Sequence, residues 1–306
     1  YGCIEVLLPT LQPDTIWKNS GRYDHYINDG TMLITESNKG TFCLAPTGEE
    51  AMLEFAREKL KSYKNLPVTF YQIGEKCRNE IRTRGYLLRG KAFPMLDAYS
   101  FDATPEDMEK SYENVKKAFL KIFEQIGLKV ITIVADNGAM GGKKSEEFMI
   151  ISDQGEDKIL YNEVTGVGLN TEILEREDYK EYLKKEYGIE DISGFKEIRT
   201  MELGHIFQLG TRYSEMMNGK FINQDGKEDL YYMGCYGIGV SRTLAALYEQ
   251  CVIKDQKGEP CGFVLPVKIA PYMIQIIPKM HNPDKVKLAE ELYHNLEVQT
   301  MGAIID

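Results

Sequence analysis

The stretch Tyr71–Asp102, YQIGEKCRNEIRTRGYLLRGKAFPMLDAYSFD, constrains this chain more than any other. It reads as an apolar strand, a loop dense in cations and a second alternating strand, so a sheet has to be organised around this hairpin. Lys76, Arg78, Arg82, Arg84, Arg89 and Lys91 crowd the loop, where Glu75 and Glu80 are the only acids. Arginine grips phosphate bidentately and keeps its charge, so guanidinium groups on a strand–loop–strand suit a polyanionic ligand. A solvated hairpin tip is the competing reading, and the loop by itself does not decide between them.

With 306 residues the chain has room for one large domain or two ordinary ones. Its 43% apolar and 27% charged content is that of a soluble globular protein. No segment approaches the roughly 18 to 20 apolar residues of a membrane helix. Tyr1–Pro13 lacks the basic start and apolar run of a signal peptide. The chain opens without Met just ahead of a strand-like run, Cys3–Leu8, as expected for a piece of a longer protein. Six scattered cysteines without C-x-x-C spacing, and only four histidines, argue against a zinc site or a disulfide framework and for a reducing compartment. A net charge of −10 is unlike a nucleic-acid-binding surface, although a cationic loop on an acidic body still meets one phosphate cluster.

In chain order, Ile16–Tyr26 reads as a short helix and turn, and Thr31–Glu36 with Thr41–Ala45 as two strands around Ser37–Gly40. A helix is expected from Pro46 or Thr47 to about Tyr63, where Glu49 and Glu50 suit the positive helix start. Thr104 and Pro105 open the clearest helix, with an apolar stripe Met108, Tyr112, Val115, Phe119, Ile122 and Ile126, and Gly127 ends it. Lys129–Ala135 is a strand leading to a glycine-rich turn, 137–142. Glu147–Ser152 and Lys158–Glu163 read as a strand pair around Asp153–Asp157. Ile173–Ile198 is so charged that it reads as a solvated helix and connector rather than core. Met201–Leu209 and Tyr213–Met217 read as strands split by Gly210 and Thr211, and Leu230–Gly234 as another. Thr243–Cys251 is an apolar helix and Cys261–Ile269 a strand-like linker. Ile274–Ile277 and Pro283–Leu296 form a βα unit with nothing to complete it. Strands joined by hairpins predict an α+β fold on an antiparallel sheet.

Outside the hairpin, Gly237–Arg242 resembles a phosphate loop: two glycines allow close approach and an Arg follows on a helix start. It is no Walker loop, and a plain strand–helix elbow fits as well. His205, among Gly204, Ile206 and Phe207, reads by default as a satisfied core histidine. No Ser/His/Asp arrangement or reactive-cysteine setting stands out.

Taken together, LLP (7–9), LAPTGEE (44–50), CRNE (77–80) with LLRGKAF (87–93), NGAMGGKKSEEF (137–148), GHIFQLGTRYS (204–214) and MGCYGIGVSRTLAALYEQ (233–250) closely resemble prolyl-tRNA synthetases, class II aminoacyl-tRNA synthetases. The resemblance spans nearly the whole chain, and its last two blocks are those of the bacterial and organellar type. It implies an antiparallel sheet flanked by helices over residues 1–266, then the start of an α/β anticodon-binding domain at 267–306. It further implies a homodimeric, membrane-free enzyme of the cytoplasm or an organelle that makes prolyl-adenylate from proline, ATP and Mg²⁺ and charges tRNA(Pro). Carried over by position, Arg78 would hold the ATP α-phosphate, Glu80 would sit beside the adenylate, Phe93 would stack on adenine and Arg242 would take the γ-phosphate. Arg89, Gln208 and Thr211 would complete the ATP site. Thr47 and Glu49 would hold proline's ammonium group, with Glu147 and His205 lining its pocket. Arg82 and Arg84 would reach the tRNA acceptor end, and no protein side chain is assigned to a metal. Attack of a carboxylate on the α-phosphorus needs positioning and charge neutralisation rather than a protein nucleophile, which accounts for the missing triad.

The chain departs from the family pattern in several places. Only the connector 173–198 stands where bacterial members carry a large editing domain, so editing in cis is expected to be absent. The helix preceding LLP and most of the anticodon domain are missing. Cys77 replaces Phe, Thr83 replaces Pro, and Ala92 and Leu96 replace an acid and a lysine. Loss of one charge-assisted contact at Ala92 would weaken ATP binding by about 1.5 to 3 kcal/mol. These changes raise an alternative: a weakened paralogue that binds amino acid or nucleotide in a regulatory role. A threonyl or seryl enzyme is a further reading, the former disfavoured by the absence of zinc-ligand cysteines.

Overall fold

The computed structural model describes residues 1–136, 138–140, 142, 144–298 and 302–306. Three positions of the glycine-rich block, Asn137, Gly141 and Lys143, lie outside the described residues. The chain divides into two compact units, Tyr1–Phe123 with Lys129–Ala246, and Glu124–Leu128 with Leu247–Asp306.

The first unit begins with β1 (Ile4–Glu5), β2 (Leu11–Pro13), α1 (Asp14–Asn19), α2 (Tyr23–Asn28), β3 (Leu33–Ser37), β4 (Gly40–Leu44) and α3 (Glu49–Lys59). The cationic stretch follows as β5 (Val68–Cys77) and β6 (Ala92–Asp102), then α4 (Pro105–Ile126). Next come β7 (Ile131–Val134), β8 (Lys144–Ile151), β9 (Asp157–Asn162), β10 (Val167–Asn170), α5 (Tyr179–Tyr187) and β11 (Lys196–Gly210). The unit closes through α6 (Arg212–Met216), β12 (Lys220–Ile222), β13 (Glu228–Leu230), β14 (Tyr232–Gly239) and the start of α7 (Val240–Cys251).

Nine strands form the main sheet in the order β1-β5-β6-β14-β11-β8-β7-β10-β9, and β9 pairs back onto β11. Among the described residues its parallel pairs are β1–β5 and β7–β10. Lys196–Thr200 of β11 pairs with β9, and Thr200–Gln208 pairs with β8, so the sheet curls shut at this end. Hence β8 and β9, expected as a strand pair, do not pair with each other among the described residues; the long β11 runs between them.

Strand alternation sends residues to two different faces. One face is covered by α4, whose Met108, Tyr112, Val115, Phe119 and Phe123 are buried as its apolar period requires. Phe119 and Phe123 pack on Phe148 of β8, with ring centroids 5.8 and 5.7 Å apart. The other face carries α3 and α6 over Phe70, Tyr99, Phe101, Leu209 and Met233.

Two local expectations fail. Tyr213–Met217 forms a helical turn instead of a strand: Gly210, at φ +64, turns the chain, and Tyr213 and Met217, four residues apart, are both buried. The connector 173–198 is not merely solvated. Ile173, Tyr182 and Leu183 are buried against Val134 and Leu169, because Tyr179, Tyr182, Leu183 and Tyr187 recur at helical spacing.

In the second unit β15 (Val252–Lys254) pairs antiparallel with β16 (Pro260–Phe263). β17 (Ile274–Ile276), α8 (Pro283–Val298) and β18 (Ala303–Ile305) make a βαβ unit with parallel strands. The expected βα unit is thus completed by Ala303–Ile305.

Where β11 crosses β14 the backbones leave no room for a side chain. A Cβ on Gly204 would lie 2.6 Å from the Gly237 carbonyl oxygen, whereas one on Gly237 meets Met95 Sδ at 3.6 Å. Gly204→Ala is therefore expected to destabilise the chain by about 1–3 kcal/mol in urea unfolding, and Gly237→Ala to change stability little.

Candidate active site

A cavity of about 490 Å³ opens on the sheet face opposite α4. Its floor is built by alternate residues of three neighbouring strands: Phe93, Met95, Asp97 and Tyr99 from β6, Cys235 and Gly237 from β14, and His205 and Phe207 from β11. Thr47 and Glu49 enter from the start of α3 and Tyr26 from α2. Arg78, Glu80 and Arg89 enter from the hairpin loop, and Arg242 from the first turn of α7.

At one end the charge is negative. Thr47 Oγ1 lies 2.7 and 3.0 Å from the two Glu49 oxygens, and Arg22 Nη1 lies 3.0 Å from Glu49 Oε2. Glu50 meets the same Nη1 at 3.2 Å and accepts from Ser20 Oγ at 2.7 Å. Burial pushes the Glu50 carboxyl up to about 7, with Arg22 opposing and Glu49 adding to the rise. Both acids lie in the first turn of α3, as the helix-start reading expects, and their carboxylates are in addition buried against Arg22.

At the other end the cations Arg78, Arg89 and Arg242 meet the acids Glu80 and Glu202, with Arg89 Nη1 3.6 Å from Glu80 Oε2. Arg78 donates from Nε to the Pro46 carbonyl at 3.1 Å, and its guanidinium lies 5.4 Å from the Phe93 ring centroid. Arg242 Nε donates to the Leu88 carbonyl at 3.1 Å, and its Nη1 lies 3.3 Å from Glu202 Oε2. Burial works against the Glu202 charge, but the hydrogen bond and charge of His205, then Arg242 and Arg78, hold it well below the usual carboxylate range. The His205 ring stacks on Phe207 with centroids 3.9 Å apart. Its Nε2 meets Ser145 Oγ at 2.5 Å, and its Nδ1 lies 3.5 Å from Glu147 and 3.6 Å from Glu202. It is therefore both hydrogen-bonded within the fold and part of the cavity wall.

Several expected site residues lie elsewhere. Glu147 stands behind His205, bound by Asn170 Nδ2 at 3.1 and 3.2 Å, and burial pushes it up to about 7. Gln208 falls on the α4 face, one residue out of phase with Phe207, and donates to Glu109. Thr211 donates to Glu215 within α6, and neither residue lines the cavity. Arg84 is spent on Glu156 at 3.3 Å, which also meets Arg89 at 2.9 Å, while Arg82 is exposed beside Glu80 and Arg89. Lys76, counted among the loop cations, is buried and pairs with Asp97 at 2.7 Å. Leu96 belongs to the α4 face, opposite Ile238, and Ala92 is exposed; neither lines the cavity.

Three features escaped the sequence reading. Arg22 sits in NSGRYDHY, where spacing carries no signal. Asp97 is a hub that accepts from Lys76 at 2.7 Å, Gln72 at 2.9 Å and Tyr99 at 2.9 Å. Glu202 lies three residues before His205, and donors of Glu147, Glu202 and His205 all fall within 4.8 Å of one another.

A curled antiparallel sheet with an arginine-bearing hairpin loop and a second arginine on the closing helix defines a class II aminoacyl-tRNA synthetase core. In agreement, the family model for the tRNA synthetase class II core domain (G, H, P, S and T) matches residues 32–251. The chain is 35% identical over 312 residues to a proline–tRNA ligase of Rickettsia bellii, covering all of this chain and 71% of that protein. It is 39% identical to one of Anaplasma phagocytophilum, over 96% of this chain and 70% of the relative. The chain belongs to the proline–tRNA ligase family. Its fold superposes on Giardia lamblia prolyl-tRNA synthetase in complex with prolyl-adenylate at TM-score 0.72 and 20% identity, covering all of this chain and 55% of that one.

Removing one partner of a buried ion pair strands the other charge. Lys76→Met is expected to destabilise the chain by about 3–5 kcal/mol, read by urea unfolding, whereas Lys91→Met, whose amine donates to Asn79 at 2.9 Å at the surface, should cost less than about 1 kcal/mol.

Proposed function

We propose that this chain activates proline with ATP to prolyl-adenylate, releasing pyrophosphate, and that within the whole protein the prolyl group passes to tRNA(Pro). The observation that carries the reading is the polarity of the cavity: buried carboxylate at Glu49 at one end, guanidinium groups of Arg78 and Arg242 at the other. An amino acid and a nucleoside triphosphate need the same order of charge.

In this reading Thr47 and Glu49 hold the ammonium group, with His205 and Phe207 forming the wall of the amino acid pocket. Arg78 neutralises the α-phosphate, where charge develops as proline's carboxylate attacks, and Arg242 takes the γ-phosphate. Phe93 offers the base a flat apolar surface, and Arg89 and Glu80 flank the phosphates. The chain itself supplies no nucleophile; it aligns the two substrates. Gln208, Thr211 and Glu147 act at one remove, by bracing α4, α6 and His205.

Magnesium is the metal this family implies, and Glu202 fits it: a carboxylate facing the cavity beside Arg242 is a hard oxygen donor, and Mg²⁺ is usually held by one or two carboxylates together with phosphate oxygens. Bound there, it would neutralise phosphate charge. We assign Arg82 and Arg84 to the acceptor end of tRNA and residues 267–306 to the start of an anticodon-binding domain. We further assign the protein to a homodimer in the cytoplasm or an organelle. No helix among the described residues is long and apolar enough to cross a membrane. The paralogue reading loses its motive, since the Ala92 and Leu96 side chains do not line the cavity.

Exchange of pyrophosphate into ATP tests the proposal. Exchange should depend on proline; Glu49→Gln should raise the proline KM by about 10- to 100-fold, and Arg78→Ala should lower kcat by about 100-fold or more. Exchange stimulated best by another amino acid sinks it.

A further inference from the structure

Arg22 is a buried cation to which the reading above gives no task. Its side chain is 4% exposed. Nη1 meets Glu49 at 3.0 Å and both oxygens of Glu50, at 3.2 and 3.4 Å. Nη2 touches the Tyr26 hydroxyl and Met140 Sδ, and the guanidinium packs 4.8 Å from the Tyr26 ring centroid and 5.3 Å from that of Tyr213. Two carboxylates therefore share one fixed charge. They are not equivalent: Glu49 lines the cavity, whereas Glu50 is fully buried behind it.

We propose that Arg22, with Glu50 as its counter-ion, is a positioning residue that presents Glu49 to the cavity as an uncompensated negative charge for the substrate's ammonium group. The inference rests on the proline-activation reading and extends it to residues that do not touch substrate. Were Glu50 uncharged, Arg22 would neutralise Glu49, and an incoming ammonium group would meet a closed ion pair. In a buried setting that difference is large, because charges are weakly screened there.

The sign of a pH effect follows. Burial and Glu49 push Glu50 up to about 7 against the pull of Arg22 and Ser20. Above that pH Glu50 is ionised and offsets Arg22, so Glu49 is available; below it Glu50 is protonated and proline binding weakens. The titratable groups facing the cluster are Tyr26, Tyr99, Tyr213 and Cys235, each pushed above its ordinary value by burial, so they stay neutral over this range. His205 also lines the cavity, and Glu147 beside it is pushed up to about 7 by burial; every variant compared keeps both residues, so the difference between variants isolates Glu50.

Calorimetric binding of L-proline, and separately of ATP, to the 306-residue chain at pH 6 and pH 8 tests this. The unaltered chain should bind proline about fivefold or more tighter at pH 8. Glu50→Gln should bind it about tenfold more weakly at pH 8 and lose most of that pH dependence. The pair Arg22→Met with Glu50→Gln should bind proline better than Glu50→Gln alone, because cation and counter-ion leave together, and Arg22→Lys should keep the pH dependence. ATP affinity should stay within about twofold throughout, which a general loss of folding would not allow. Glu50→Gln binding proline like the unaltered chain at both pH values overturns the proposal, as does a double variant no better than Glu50→Gln. A chain that prefers another amino acid overturns the preceding section instead, and the same variants then judge the charge relation on that amino acid. A chain that binds ATP but no amino acid overturns both.

Discussion

The buried pair between Lys76 and Asp97 is the interaction on which the site's layout depends. Asp97 is 3% exposed and has three donors, so its charge is fully committed inside the sheet. Those donors come from β5 and β6 and fix the register of the hairpin that carries Arg78. The same hub presses on the loop before α3: a Cβ on Gly48 would lie 2.8 Å from the Tyr99 hydroxyl and 3.0 Å from Asp97 Oδ2. Glycine between Thr47 and Glu49 is thus required by close approach, and it brings Glu49 against the floor. Gln72 Oε1 also accepts from the Leu8 amide at 3.0 Å, which ties the N-terminal strand to the same point. One buried ion pair therefore couples both ends of the cavity, and neither end can shift without disturbing a desolvated charge.

Charge is handled differently at depth and at the rim. Arg22 with Glu49 and Glu50, and Lys76 with Asp97, are buried, so they set geometry. The loop arginines are partly exposed: Arg84 and Arg89 are 47% and 38% accessible where they meet Glu156. Exposed pairs of that kind contribute about 0–1 kcal/mol, so anionic oxygens compete for those guanidinium groups on easy terms. The chain's net charge of −10 is compatible with this, since the cations that matter are local.

Much of the fold was legible where one period dominates. The hairpin Tyr71–Asp102 and the stripe of α4 announce themselves because alternation and 3.6-residue spacing match the elements that form. The failures share a cause: the partner that decides the structure is far away in sequence. Nothing local says that β11 would pair first with β9 and then with β8, or that Tyr213 and Met217 turn inward as a helix. Lys76 was counted with the loop cations because its neutraliser sits 21 residues on, across the hairpin. Gln208 was placed at the nucleotide by its motif, although period 2 puts it on the opposite face from His205, beside Glu109. That parity was available from the strand alone.

The same parity bears on Ala92 and Leu96, read from the sequence as departures from the family pattern. β6 exposes Phe93, Met95, Asp97 and Tyr99 to the cavity, and Phe93 is the one that the proposed chemistry sets against the base. Ala92 and Leu96 fall on the intervening positions, with Leu96 paired opposite Ile238 on the α4 side. A lost acid or lysine there alters packing and surface charge but removes no group from the cavity wall.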